Sequence, residues 1–193
     1  MRVKLEDIQK IVQGRMSEKR FNHVLGVVET AKELAARHDV DIEAAALAAL
    51  VHDVSKEQPL EQTAGILRIV GEDTYLKYSN KVWHAPMGAI VAKDVFGIEN
   101  EDILNAIKYH PTGRPKMSLL EKVLFVADYT EPNRKFEGAI VVREFWGDLD
   151  RAVYEILKQK VKKVTALGLE MHPDTNDAYE HFQKLIADRG ECE

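Results

Sequence analysis

Apolar residues in the segment from Ser17 to Arg37 fall at Val24, Val27, Val28, Ala31, Leu34 and Ala35. Steps of three and four place them on one face of a 3.6-residue helix, for which Ser17 is an N-cap. Asp41 caps the next segment, IEAAALAALV, which is apolar nearly all round. Such a helix belongs at the centre of a domain, and its alanines let neighbouring backbones come close. Pro59 opens a helix reaching about Val70, with Gly71 as its stop. Trp83 to Phe96, ended by Gly97, reads as another, followed by Glu101 to His110, which Pro111 closes. Ser118 to Tyr129, an amphipathic stretch from Asp148 to Leu167, and Pro173 to Ala187 complete the set. No segment alternates with period two between turn signals, and no fixed-period repeat or low-complexity tract interrupts the pattern. The longest irregular stretches, 112–117 and 130–136, are short and polar. The expected fold class is all-α. One compact domain is expected over residues 1–193, with a core at about 17–135 and C-terminal helices at about 140–190 packed on it.

Composition sharpens this picture only at a few points. A chain of 193 residues that is 45% hydrophobic and 31% charged can build a core. No apolar run reaches the ~18 residues that a membrane span needs. The opening MRVKLEDIQK mixes both charge signs and lacks the apolar stretch of a secretory leader. A cytoplasmic protein with no membrane partner is therefore expected. The net charge of −5 argues against a nucleic-acid surface. The single cysteine, Cys192, excludes a disulfide framework and a cysteine-based zinc site. Nothing in the pattern fixes an oligomeric state.

The seven histidines change the picture more. His52 and Asp53 end the most apolar helix, where an aspartate is costly to bury unless paired or coordinated. Helix termination accounts for that pair equally well. His23 lies beside the apolar stripe of its helix, as a satisfied boundary histidine also would. His84, taken alone, reads as a first-turn surface residue. His110 shares a helix face with Ile103 and Ile107 and so points inward. Asp128 stands at i+4 from Leu124 and i+8 from Leu120 in LLEKVLFVADY, a position that demands a cation, an arginine or a metal. A buried salt bridge to Arg134 or Arg20 is the plainer alternative. Taken together, imidazoles and carboxylates from several helices suit Zn, Fe, Mn or Co. Without thiolates, a catalytic site with open positions is favoured over a structural one. Six donors exceed one tetrahedral ion and suit two adjacent metals sharing Asp53.

The order H…HD…D resembles the HD-domain superfamily of metal-dependent phosphohydrolases, and more narrowly the YqeK family of symmetrical diadenosine-tetraphosphate hydrolases. The narrower resemblance rests on RFNHVLGVVETA, AALVHDVSKE, HAPMGA, IKYHPTGRPKMSLLEKVLFVADYTEPNR and MHPDTNDAYEHF, spanning about 20–182. It implies an HD helical bundle with a C-terminal helical extension. It implies that His23, His52, Asp53 and Asp128 bind metal, and that Asp53, His84 and His110 serve catalysis. It places iron in the site, as one or two ions, while ligand type alone allows Mn, Co or Zn. It implies attack of a metal-bound hydroxide on an inner phosphorus of a small-molecule nucleotide, giving two ADP. Arg20, Asp53, Lys56, His84, His110, Pro111, Asp128 and Arg134 would meet the phosphates, with Arg134 as a bidentate clamp. His172, Pro173, Asp174, Thr175 and Asn176 would line the nucleoside pocket, although capping of the last helix also explains Asp174 or Thr175. A 5′-nucleotidase or dNTP phosphohydrolase at the same site stays open. So do a nucleotide-sensing domain with little turnover and a plain helical interaction module.

Overall fold

The computed structural model describes residues 5–190 and contains no strand among them. Residues 1–4 of the MRVKLEDIQK segment and Cys192 lie outside the described residues. The helices are α1 (Leu5–Gln13), α2 (Glu18–Arg37), α3 (Ile42–Val51), α4 (Leu60–Ile69), α5 (His84–Asp94), α6 (Glu101–Tyr109), α7 (Leu119–Thr130), α8 (Glu137–Arg143), α9 (Leu149–Ala166) and α10 (Pro173–Asp188). A 3-10 helix at Asp73–Lys77 joins α4 to α5. The fold is all-α, as the periodicity predicts, and every predicted helix forms with its ends shifted by a residue or two.

Local chemistry sets the starts. Ser17 Oγ accepts the Arg20 N–H, and Asp41 Oδ1 accepts those of Glu43 and Ala44. At α10 the cap differs from expectation. His172, rather than Asp174 or Thr175, holds it, with the Asp174 N–H donating to His172 Nδ1 at 3.3 Å. Two α-helices and the 3-10 helix escape the sequence reading. α1 has only Ile8 and Val12 as buried residues, too short a stripe to declare a period. α8 contains Gly138 and three β-branched residues, poor helix formers that tertiary contacts override by burying Ala139 and Val142.

The packing explains where the site lies. α3 runs against α1, α2, α6 and α7, and its buried alanines allow that crowding. Its C-terminal end delivers His52 and Asp53 into the middle of the bundle. α5 presses on that end through Gly88, where an added Cβ would lie 3.2 Å from the His52 carbonyl oxygen. α9 and α10 pair with each other, and α9 lies along α7 and α8. One contiguous apolar cluster runs from Ile8 of α1 to Ile186 of α10.

Candidate metal centre

Five helices bring their ends or inner faces to Asp53. His23 comes from the first turns of α2. His52 caps the C-terminus of α3, and Asp53 follows it in the turn. His84 opens α5, His110 caps the end of α6, and Asp128 sits in the last turns of α7. His52, Asp53, His84 and His110 are all buried, so the surface reading of an isolated His84 is corrected by the structure. Asp128 keeps 22% of its side-chain surface exposed and marks the open edge. The expected six donors are thus brought together.

The hydrogen bonds fix which nitrogens face inward. His52 Nδ1–H donates to the Ala49 carbonyl at 2.6 Å, and His110 Nδ1–H to the Ile107 carbonyl at 2.7 Å. His23 Nδ1–H donates to Glu131 Oε1 at 3.2 Å. Each Nε2 therefore presents a lone pair to the centre. The His110 lone pair accepts from His84 Nε2–H at 3.0 Å, whereas those of His23 and His52 meet other acceptors. His23 Nε2 is 3.1 Å from Asp128 Oδ1 and 3.8 Å from Asp53 Oδ2, and His52 Nε2 is 3.5 Å from Asp53 Oδ2. Asp53 Oδ1 faces the other way, 3.2 Å from His84 Nε2 and 3.8 Å from His110 Nε2. His23 Nε2, His52 Nε2 and Asp53 Oδ1 are buried and make no hydrogen bond. Buried acceptors left unpaired are expensive, and acceptors facing acceptors repel. A divalent cation removes both penalties at once. Two donor groups emerge that share Asp53, namely His23–His52–Asp53 and Asp53–His84–His110, each with ligand atoms within 4.8 Å of one another. Imidazole Nε2 and carboxylate oxygen form the donor set of a borderline divalent metal, and the residues present fit one.

The electrostatics agree. Burial alone would raise the Asp53 carboxyl, but His52, His84 and Lys56 hold it well below the usual carboxylate range. Asp128 is likewise held low, its burial outweighed by His23, His52 and His110. Burial pushes the His84 and His110 imidazoles down, keeping them neutral as ligands or proton acceptors. His23 is raised: burial opposes its charged form, yet Asp128 and Glu131 prevail, so Nε2 attracts a cation.

Basic side chains ring the carboxylates. Arg20 Nη1 donates to Asp53 Oδ2 at 3.0 Å, and Arg134 Nη2 to Asp128 Oδ1 at 3.5 Å. Lys56 Nζ lies 3.2 Å from the His84 ring nitrogens, so it faces the site. Pro111 follows His110 directly. The α10 residues occupy a separate neighbourhood. His172 sits between Tyr75 and Tyr78, with ring centroids 4.8 and 4.7 Å away. Asp174 lies beside it, its carboxyl raised by burial against the pull of His172, Lys108 and Arg114. Thr175 is buried. Asn176 turns outward and donates to Glu180 Oε1 at 2.9 Å on the exposed face of α10.

Three features had no place in the sequence reading. Glu131 is buried and orients His23. It stands three residues after Asp128, a spacing that puts both on one helix face. A Cβ at Gly26 would lie 2.6 Å from Glu131 Oε2, so α2 carries glycine there. Lys160 of α9 donates to the Pro111 carbonyl at 2.7 Å and lies over the Phe125 ring. Its signal was present, since it falls on the apolar stripe Val153, Ile156, Leu157. Tyr75 and Tyr78, in and just after the 3-10 helix, are the third.

Comparison with known proteins fits this geometry. The HD domain family matches residues 20–133. A symmetrical bis(5′-nucleosyl)-tetraphosphatase of Bacillus subtilis (strain 168) is 40% identical over 172 residues, covering 88% of this chain and 92% of that protein. The protein of the same description from Halalkalibacterium halodurans is 38% identical over 172 residues, with 88% and 92% covered. A crystal structure from Clostridium acetobutylicum, described as a predicted HD superfamily hydrolase involved in NAD metabolism, superimposes with a TM-score of 0.91. It is 36% identical over 96% of this chain and 100% of the other. With its H…HD…D side chains gathered around one buried aspartate, the chain belongs to the HD domain family, in the branch that holds these tetraphosphatase relatives.

Proposed function

We propose that this protein hydrolyses diadenosine tetraphosphate symmetrically to two ADP. The observation that carries the reading is Asp53, whose two oxygens serve two donor groups at once while guanidinium and ammonium groups stand around them. We assign His23, His52, Asp53 and Asp128 to a divalent metal, with His84 and His110 at a second ion or at the phosphates, and iron as the native metal. We assign a free nucleotide as the substrate and the cytoplasm as the location.

A bound divalent ion supplies positive charge to phosphate oxygens and makes water more acidic. The side chains do the rest. Arg134, Arg20 and Lys56 neutralise the polyphosphate and hold it in line. Asp53 is too weak a base to take a proton at neutral pH, so its Oδ1 orients the attacking water instead. The neutral His110, whose Nε2 lone pair faces Asp53 Oδ1 at 3.8 Å, is placed to receive the proton. The water oxygen bonds to an inner phosphorus, and the bridging anhydride oxygen leaves with the bonding pair as part of ADP. The charge that develops there is met by Arg134 and Lys56 rather than by a proton. His172, Pro173, Asp174 and Thr175 at the start of α10 hold one nucleoside.

The test is anaerobic purification with elemental analysis, then a substrate panel with product identification. Two ADP and no ATP is the expected result. AMP with ATP would overturn the symmetrical reading. Faster release of phosphate from mononucleotides would move the assignment to a nucleotidase.

A further inference from the structure

A symmetrical cleavage leaves a nucleoside diphosphate on each side of the bond broken, yet α10 accounts for one nucleoside. We infer that the second half binds in a groove on the His23 side of Asp53, formed by the first turns of α2 and the loop after α7. This rests on the dinucleotide reading above.

The groove has a volume of about 840 Å³ and reaches His23 at its inner end. That size lies within the roughly 300–1,000 Å³ typical of small-molecule sites. None of its lining residues comes from the 3-10 helix, α6 or α10, the elements that surround His172. The two oxygens of Asp53 separate the two neighbourhoods. Oδ1 faces His84 and His110, at the end of α6, whereas Oδ2 faces Arg20 and His23 of α2. A tetraphosphate crossing Asp53 from the α10 side therefore emerges in this groove.

The wall chemistry follows the polarity of a nucleoside diphosphate. At the inner end stand Arg20 and Arg134, whose Nε atoms are buried and make no hydrogen bond. Arg134 Nε lies 3.8 Å from Glu131 Oε1, too far for a hydrogen bond, so both guanidinium groups keep a donor for an anion. Farther out, the exposed wall carries Lys19 and the amides of Asn22 and Asn133, which donate and accept without charge. Phosphate inward and sugar with base outward matches that order. Ser17 fixes the rim, its N–H and Oγ–H both donating to Glu57 at 2.6 and 2.7 Å. Preformed walls reduce the ordering cost of binding.

The experiment fills the groove without touching the metal ligands. Asn22→Trp and Asn133→Trp, both at exposed positions, are compared with the wild-type enzyme as purified with its metal. Diadenosine tetraphosphate is set against adenosine 5′-tetraphosphate, which lacks the second nucleoside. kcat/KM for the dinucleotide should fall by roughly tenfold or more, chiefly through KM, with the single-nucleoside substrate unaffected. Equilibrium binding should find two ADP per wild-type chain and one per variant. One ADP in the wild type, equal losses on both substrates, or no loss on either overturns the groove assignment. Failure of the wild type to cleave the dinucleotide overturns the function instead, and ADP stoichiometry still decides the groove. Helical circular dichroism identifies any variant that does not fold, and the second variant then carries the test.

Discussion

The Asp53 cluster and the start of α10 both gather histidine and aspartate beside aromatic or basic groups, yet they are built on opposite terms. At Asp53, imidazole nitrogens are pinned from behind by Ala49, Ile107 and Glu131, so their lone pairs converge on carboxylate oxygens. The chain alone cannot satisfy that arrangement, and a cation completes it. At α10, His172 caps its helix, packs against the tilted rings of Tyr75 and Tyr78, and lies 3.6 Å from Asp174. The histidine there is partnered, although the Tyr75 hydroxyl is buried without a hydrogen bond. A region that folds against its own electrostatics is suited to chemistry, whereas one whose histidine already has its partners is suited to shaping a pocket.

The sharpest way to break the contrast is Asp53→Ala. It removes the one group shared by both donor sets, so activity should fall by at least about a thousandfold. Metal content should fall with it while the helical circular dichroism persists. Retained metal with lost activity would separate Asp53 from the ligand set.

Next in size is Glu131. Groups that orient a ligating histidine typically govern metal affinity or activity by roughly 10–100-fold. Glu131→Ala should produce a loss of that order, and Glu131→Gln should restore part of it, because an amide oxygen still accepts from His23 Nδ1–H. Equal losses in the two variants would mean that the charge, rather than the hydrogen bond, matters.

How much of this was legible beforehand follows the same divide. Asp128 is legible because it is out of place on the apolar face of LLEKVLFVADY, whereas His23, His52, Asp53 and His84 each have a plainer explanation alone and become legible only together in the order H…HD…D. Their inward nitrogens were not, because tautomers depend on carbonyls that only the fold brings into reach. Glu131 went unread since a carboxylate just past a helix end has a ready explanation in solvent, yet it is buried. Lys160 went unread because an amphipathic helix readily takes a lysine at the edge of its stripe. Asn176, expected in the nucleoside pocket, instead donates to Glu180 one turn further along the exposed face of α10. α8 was invisible for a different reason: its helicity is imposed by packing on α7 and α9.

Lys160 sharpens the comparison through stability. Burial pushes its ammonium down to about 8 from 10.5, against the pull of Asp128. The folded chain then binds this proton less tightly than the unfolded chain does. The resulting destabilisation is full below pH 8 and fades as pH rises from 8 toward 10.5. Lys160→Met should therefore raise the thermal midpoint at pH 7 by a few degrees, on the order of 1 kcal/mol for a chain of this size. The gain should shrink toward pH 10. Turnover should drop by roughly tenfold, because the His110–Pro111 turn loses its tether. A variant that is both less stable and less active would make Lys160 a structural tie alone.

The smallest effect belongs to His172. Burial lowers its pKa, partly opposed by Asp174, so it is neutral at pH 7. Its Nδ1 is occupied by the Asp174 N–H, which leaves Nε2–H as the donor for the nucleoside proposed at this segment. None of its recorded contacts is with the Asp53 cluster. Removing the ring should therefore weaken binding of substrate and transition state alike, a uniform loss that raises KM and leaves kcat in place. Loss of one hydrogen bond to the substrate, worth about 0.5–1.5 kcal/mol net, corresponds to a KM increase of roughly two- to tenfold for His172→Ala. His172→Phe would keep the ring packing against Tyr75 and Tyr78 while losing both the cap and the donor. If Phe restores KM, ring packing holds the nucleoside segment in place. If Phe behaves like Ala, the hydrogen bonds do. A fall in kcat for either variant would mean that α10 reaches the chemistry, and the two regions would then be one site.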